Sequence, residues 1–309
     1  MANINNTLEY ITEMAKSSPN EFRDLSEGRY KAILNSVAKK INETKVSEII
    51  MLAGPSSAGK TTTAKRLKAE IEAKGHKSFT ISLDDFYKNR VDSPRFSDGS
   101  YDFESVNALD LPFLTSTLST LVTKGAAMMP KYDFITGERR AELRELKVSE
   151  QDIIIVEGLH ALNPIITDNL PQDRLFKIYI NVSSRIYDER NNIVLNKRNM
   201  RFVRRLIRDY RYRGSSPENT YRLWDSVCLG EDKYLFPFRN NADVRINTIH
   251  LYETCVFKER ALPLLKQIEK DSIHYKDAKR LIRGLNKFPI MDTSLVPKDS
   301  LLREFLGNE

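Results

Sequence analysis

Residue types and patterns typical of secreted, metal-binding or membrane proteins are scarce in this chain of 309 residues. It has two cysteines, Cys228 and Cys255, which are too few for a disulfide framework and suit a reducing compartment. Its four histidines lack the spacing of metal ligands. No apolar run approaches the ~20 residues of a membrane-spanning helix, and residues 1–10 lack the features of a signal peptide. We therefore expect a soluble, cytoplasmic protein without a membrane partner.

The charged residues are unevenly distributed. The hydrophobic fraction of 40% and the charged fraction of 29% are those of an ordinary globular protein, and the net charge of +7 is modest. Ten lysines and arginines, however, lie between Arg185 and Arg213. A basic block of this kind either binds nucleic acid or forms a lid over a polyphosphate.

Apolar residues recur with two periods along the chain. Residues 1–45 show helical spacing with a break near Pro19, which predicts two helices. Short apolar runs predict strands, and amphipathic patterns predict helices between them. The predicted strands are 48–53, 78–83, 152–156, 175–180 and 242–246, and the predicted helices are 61–74, 109–122, 252–268 and 274–285. This alternation indicates an α/β fold with a doubly wound, mainly parallel sheet.

A phosphate-binding motif follows the first predicted strand. Residues 54–61 match G-x-x-x-x-G-K-[ST], the P-loop, between a strand and a helix. Glycines in this loop let the backbone approach an anion, and the following helix presents its free N–H groups to the phosphates. Lys60 is predicted to reach the β- and γ-phosphates of ATP, and the Thr61 hydroxyl to hold Mg²⁺. The predicted nucleotide-binding residues are Gly54, Ser56, Ser57, Ala58, Gly59, Lys60, Thr61 and Thr62.

Acidic residues stand at the ends of two further predicted strands. Asp84 follows the strand at 78–83, and Glu157 follows the strand at 152–156. Because the carboxyl ends of parallel strands form the ligand crevice, both acids should lie beside the P-loop. We predict that Glu157 is a metal ligand rather than a helix cap. Asp85 is available as a helix cap, which would leave Asp84 free to act as a base or to help hold the metal.

Six further segments resemble the uridine kinase and phosphoribulokinase family. In order, they are Leu83–Tyr87, Tyr101–Glu104, Pro130–Phe134, Val156–Gly158, Arg201–Asp209 and Ala242–Val244. More narrowly, the chain resembles bacterial uridine kinase-like proteins, and its closing stretch Leu301–Leu306 resembles their C-terminal end. In those proteins the kinase domain often follows a TGS domain, which this chain lacks. We therefore expect either a short relative or a fragment.

The resemblance implies a role for each matching position. Asp84 would accept the proton of a ribose 5′-hydroxyl near Mg²⁺, with Lys60 as the second catalytic residue, and Asp102 would bind the ribose hydroxyls. Further substrate contacts would come from Tyr87, Tyr132, Phe134 and Arg201. A lid at about 185–213, with Arg204, Arg205 and Arg208, would close over the phosphates. The kinase domain would span 46–250, with helical extensions at 1–45 and 251–309.

These observations predict a kinase that uses ATP and Mg²⁺ to phosphorylate the 5′-hydroxyl of a nucleoside, uridine or cytidine. Two positions depart from the uridine kinase pattern, because Gly137 replaces a histidine that helps read the pyrimidine and Asn199 replaces an aspartate. A kinase for another small sugar or hydroxyl metabolite therefore stays an alternative.

A nucleotide-dependent RNA-binding regulator is a further alternative, motivated by the basic block. Nucleic acid is the less favoured partner because few aromatic residues accompany these arginines. The terminal helices are expected to pack on the core, and a homo-oligomer formed through them is left open.

Overall fold

A five-stranded parallel sheet forms the centre of the computed structural model, which describes residues 5–43 and 49–307. The strands are β1 (Ile49–Ala53), β2 (Ser78–Ser82), β3 (Ala126–Met129), β4 (Tyr132–Asp133), β5 (Glu138–Arg139), β6 (Arg144–Lys147), β7 (Ile153–Gly158), β8 (Leu175–Asn181), β9 (Ile186–Tyr187), β10 (Ile193–Leu195) and β11 (Val244–Asn247). The central order is β11-β8-β1-β7-β2, and each neighbouring pair is parallel. The predicted sheet is confirmed.

Helices cover both faces of this sheet, as strands that are apolar on both sides require. They are α1 (Leu8–Ser17), α2 (Pro19–Glu43), α3 (Lys60–Glu72), α4 (Leu111–Lys124), α5 (Pro164–Thr167), α6 (Lys197–Arg213), α7 (Pro217–Tyr234), α8 (Glu253–Leu265), α9 (Tyr275–Asn286) and α10 (Arg303–Leu306). On β1, Ile50 and Leu52 join one core, whereas Ile49 and Met51 join the other. Side chains from α4 and α5 complete the second core.

The helices near both ends of the chain share the first core with the sheet. Residues of α1, α2 and α8 to α10 pack there together with α3 and α6. The break predicted near Pro19 is present, because this proline opens α2 at a position where its missing N–H is not needed. The predicted domain limit at 45/46 and the first residue of the predicted strand, Glu48, lie outside the described residues. The domain limits stay a prediction.

The segment 185–213 is packed more deeply than the lid that we predicted. It contains β9, β10 and α6, and apolar side chains of α6, including Phe202, Val203 and Leu206, lie in the first core. Arg201 and Arg204 on the same helix are 1% and 0% exposed. The apolar face of α6 therefore anchors the helix in this core, where it packs against α7, α8 and α10. None of the helices in the described parts of the chain is long and apolar enough to cross a membrane.

Candidate active site

The P-loop has a backbone that requires glycine at two positions. Gly59 lies between β1 and α3 with φ of +90°, and a Cβ there would come within 2.6 Å of the Leu301 side chain. Gly54 passes so close to β8 that a Cβ would lie 2.7 Å from the carbonyl oxygen of Ile180. Ser57 also has a positive φ, of 59°. The loop is thus held in a strained turn with the N-terminus of α3 directly behind it.

Arginines of α6 hold this loop from its buried side. Arg201 donates from Nη1 to the carbonyl of Ser56 at 3.0 Å, and Arg204 donates to the carbonyl of Ser57 at 3.3 Å. Arg205 donates to the Ser56 hydroxyl at 2.8 Å. The three arginines therefore support the P-loop itself in this structure.

The positions of Arg201 and Arg204 correct two expectations. Arg201 was expected at the sugar, but its two Nη atoms bond to the buried carboxylate of Glu231 at 2.6 and 2.8 Å. Arg204 was expected in a lid over the phosphates, but it pairs with buried Glu253. A guanidinium loses its hydration on burial and needs such a carboxylate partner, which fixes both side chains where they are.

The predicted metal ligands Thr61 and Glu157 lie together. The Thr61 hydroxyl donates to Oε1 of Glu157 at 3.1 Å, and the hydroxyl of Ser82, at the end of β2, donates to the same oxygen at 3.1 Å. Burial, and then the nearby charge of Asp84, raise the pKa of Glu157 to about 7, against the lowering effects of Lys60 and these hydroxyls. The ends of β1, β2 and β7 therefore meet in one polar crevice.

Asp84 faces the same crevice from a 3₁₀ turn, Leu83–Phe86, that follows β2. Burial raises its pKa, whereas the positive charges of Lys60, Arg213 and Arg208 act in the opposite direction. Its neighbour Asp85, which the sequence made available as a helix cap, instead lies inside this turn, whose N-cap is Ser82. Asp85 forms an ion pair with Lys131 at 3.0 Å and so fixes the neighbouring β-hairpin.

Asp102 and the predicted aromatic residues lie in segments close to Asp84, because Tyr87 and Glu104 in these segments are near enough to feel its charge. The Tyr234 hydroxyl donates to Oδ2 of Asp102 at 2.9 Å, whereas the buried Oδ1 has no hydrogen-bond partner among the described residues. The Tyr132 ring lies 5.7 Å from that of Tyr87 and 5.1 Å from that of Phe134. Tyr132 is 8% exposed and Phe134 is 50% exposed, so Phe134 has the freer ring face.

The two departures from the uridine kinase pattern have local structural consequences. Gly137 has a φ of +77°, and a Cβ there would lie 2.7 Å from the guanidinium of Arg90, which therefore fills the adjacent space. Asn199 forms a reciprocal capping box with Asn196 at the start of α6. Asn199 thus stabilises the helix that carries the buried arginines.

Several residues of this region were not predicted from the sequence as site residues. Glu231 and Tyr234 on α7 contact Ser56 and Asp102, and Arg213 lies over the Phe134 ring at 5.7 Å. Glu304, near the C-terminal end, accepts hydrogen bonds from the N–H of Thr62 at 3.3 Å and from its hydroxyl at 2.6 Å. The one sequence feature that singles out Glu304 is its position in Leu301–Leu306, the stretch that resembles the C-terminal end of bacterial uridine kinase-like proteins. That resemblance suggested no role for the residue.

The family follows from a match over most of the chain. Residues 49–254 match the family model described as Phosphoribulokinase / Uridine kinase family. The chain belongs to this family. It is a P-loop kinase, and the predicted family resemblance is confirmed.

The following relatives share at most 28% sequence identity with this chain. The uridine kinase of Lactobacillus johnsonii is 28% identical over 197 residues, which cover 63% of this chain and 84% of that protein. The uridine kinase of Deinococcus deserti is 28% identical over 200 residues, covering 64% and 86%. A solved structure described as a possible uridine kinase of Bacillus stearothermophilus matches with a TM-score of 0.46 and 19% identity, covering 69% of this chain and 96% of that one.

Proposed function

We propose that this kinase transfers the γ-phosphate of ATP to the 5′-hydroxyl of a nucleoside, with uridine or cytidine as the acceptor. The observation that supports it most is the crevice in which Thr61 contacts Glu157 and Asp84 acts electrostatically on Glu157. A phosphate-binding turn and two carboxylates are thereby brought together. This is the combination that phosphoryl transfer to an alcohol needs.

The residues present fit a magnesium ion. The described residues contain no cluster of three or more His, Cys, Asp or Glu that would hold a metal alone. Mg²⁺ in kinases instead takes one or two carboxylates together with phosphates and water, and Thr61, Glu157 and Asp84 supply such a set. Burial is the main cause of the raised pKa of the Glu157 and Asp84 carboxyl groups, which means that it destabilises their charged forms. A bound divalent cation would stabilise those charged forms. When bound, Mg²⁺ would neutralise charge on the phosphates.

The chain's own groups would carry the transfer. Lys60 and the N–H groups of the P-loop would bind the β- and γ-phosphates. Asp84 would accept the proton of the acceptor hydroxyl. At the same time the oxygen of that hydroxyl would bond to the γ-phosphorus, and the bond from this phosphorus to ADP would break. Arg208 and Arg213, whose charges already reach Asp84, would neutralise charge on the phosphoryl group.

The acceptor would lie beside Asp102 and the aromatic residues. The unpartnered Oδ1 of Asp102 would accept a hydrogen bond from a ribose hydroxyl, which would satisfy an otherwise orphaned buried acceptor. The more exposed ring of Phe134 would contact the base, with Tyr132 and Tyr87 packed behind it.

A kinase for another small hydroxyl metabolite is the second candidate. It is favoured by Arg90, whose guanidinium occupies the space beside Gly137 where uridine kinases carry a base-reading histidine. An RNA-binding role for the basic block is disfavoured, because Arg201 and Arg204 are buried and paired with carboxylates instead of facing solvent.

An acceptor screen tests the proposal. ADP release from ATP·Mg²⁺ is followed with nucleosides, sugars and pantothenate-like alcohols, and each product is identified by mass spectrometry. We expect uridine 5′- or cytidine 5′-monophosphate as the main product. Turnover confined to a sugar or another alcohol would support the second candidate. RNA binding that weakens steeply with salt, without turnover on any alcohol, would overturn both.

A further inference from the structure

The last turn of helix α7 contacts both sides of the crevice. The first of these contacts is with the P-loop. Glu231 is fully buried, and its Oε1 accepts a hydrogen bond from the backbone N–H of Ser56 at 2.9 Å. The same oxygen accepts from Arg201, which also donates to the Ser56 carbonyl at 3.0 Å. Both backbone groups of one P-loop residue are therefore held by a single ion pair.

The acceptor side is reached three residues later on the same face of α7. The hydroxyl of Tyr234 donates to Oδ2 of Asp102 at 2.9 Å. The other oxygen of Asp102 is buried and has no hydrogen-bond partner within residues 5–43 and 49–307. With Oδ2 held by Tyr234, the orientation of the free Oδ1 depends on this hydroxyl.

Glycine at position 230 permits the close approach of α7. A Cβ at Gly230 would lie 2.2 Å from the Cβ of Glu104, which belongs to the same loop as Asp102. Because that atom is next to the backbone, it cannot move aside like the tip of a long side chain. A larger residue here would push the loop of Asp102 away from the helix.

We propose that α7 is a positioning element for both substrate sites, with Glu231 holding the P-loop and Tyr234 orienting Asp102 toward the acceptor. The Tyr234 part rests on the proposed function, because it assumes an acceptor with hydroxyl groups. The Glu231 part concerns nucleotide binding alone. Neither residue touches the reacting atoms, so both act through the residue that they hold.

The acceptor part is tested by Tyr234→Phe, which removes one hydroxyl. We expect the KM for the acceptor to rise about tenfold, as for loss of a hydrogen bond to a charged group, with kcat and the KM for ATP within about twofold. Tyr221→Phe is the matched control, because Tyr221 lies on the same helix and its buried hydroxyl has no hydrogen-bond partner in the described structure. An unchanged acceptor KM would overturn this assignment. So would a rise of the KM values for both substrates together with a lower thermal stability.

The nucleotide part is tested by removing the ion pair as a unit. Glu231→Gln alone leaves Arg201 buried without a countercharge and risks unfolding. The double variant Arg201→Met, Glu231→Leu replaces both charged residues by apolar side chains of similar size. Proteins often tolerate such a replacement of a buried ion pair. We expect a melting temperature close to that of the wild type but a Kd for ATP·Mg²⁺ raised about tenfold, measured by calorimetry.

The outcomes separate this inference from the proposed function. An unchanged ATP affinity in the folded double variant would overturn the role of Glu231, and Asp225→Asn, an exposed change on the same helix, serves as its control. If the wild type phosphorylates no nucleoside, the proposed function fails. The double variant still tests the contact of Glu231 with the P-loop in that case. Tyr234→Phe is then measured with whichever alcohol the acceptor screen identifies, and the absence of any acceptor would overturn the role of Tyr234.

Discussion

The Thr61 hydroxyl donates a hydrogen bond to Oε1 of Glu157 at 3.1 Å, and this contact joins the start of α3 to the end of β7. The two residues are far apart in sequence, but Thr61 lies in the helix that follows β1, and Glu157 lies in the neighbouring strand β7, directly opposite Leu52 of β1. The register of the parallel sheet therefore determines that the carboxylate lies beside the P-loop.

Lys60→Ala is expected to abolish phosphoryl transfer. Lys60 begins α3 at the crevice and acts electrostatically on both Asp84 and Glu157. Loss of a charge that stabilises the transferring group should lower kcat by at least about 10²-fold, measured as ADP release. Lys65→Ala, at an exposed position of the same helix, should leave turnover unchanged. A Lys60→Ala enzyme with turnover close to the wild type would contradict the assigned P-loop mechanism.

Glu304→Gln is expected to strengthen nucleotide binding. The Glu304 carboxylate accepts hydrogen bonds from both donors of Thr62, a residue predicted to bind phosphate, so an anionic ligand must compete with it. Removing the negative charge should lower the Kd for ATP·Mg²⁺ about fivefold in calorimetric titrations. Glu269→Gln, at an exposed position, is the control. Weaker binding by Glu304→Gln would show instead that this carboxylate supports α3.

Glu27→Gln is expected to destabilise the fold in a pH-dependent way. Glu27 on α2 accepts hydrogen bonds from the hydroxyls of Tyr252 and Ser300, and His250 lies 3.6 Å away. Burial alone would raise the pKa of Glu27, but these partners outweigh it and lower the pKa from 4.5 to about 2. The stabilisation, at most about 3 kcal/mol, is therefore present above the unfolded-state pKa and is lost as the pH falls through the folded value.

Denaturant unfolding at about pH 7 and about pH 3 measures this effect. The difference in unfolding free energy between the wild type and Glu27→Gln should shrink at the lower pH. Glu43→Gln, which removes an exposed ion pair with Lys39, should have little effect at either pH. An equal difference for Glu27→Gln at both pH values would rule out the ionised carboxylate as the source.

The sequence indicated the features of the site that depend on local patterns. The P-loop motif, the apolar strands before Asp84 and Glu157, and the break at Pro19 each lie within a few residues, so their structure follows from spacing and backbone preference. Because the strands are parallel, their carboxyl ends lie at the same end of the sheet, and this brings the two acids together. The roles of these residues in catalysis stay predictions.

The contacts that the sequence did not indicate join residues far apart along the chain. Glu231 meets Ser56 across 175 positions, and Glu304 meets Thr62 across 242 positions. No local pattern marks either glutamate, and α7 was not predicted as a helix. The burial of Arg201 and Arg204 was missed for a related reason, since a basic segment normally faces solvent unless distant carboxylates neutralise it.

The central claim is that a carboxylate beside the P-loop activates an acceptor hydroxyl, and Asp84→Asn tests it most directly. Single-turnover transfer of labelled γ-phosphate from ATP to the acceptor is compared in the wild type and this variant, with nucleotide affinity measured on the same samples. We predict that the transfer rate falls about 10²–10⁴-fold while ATP still binds. A transfer rate close to the wild type in Asp84→Asn would contradict the claim.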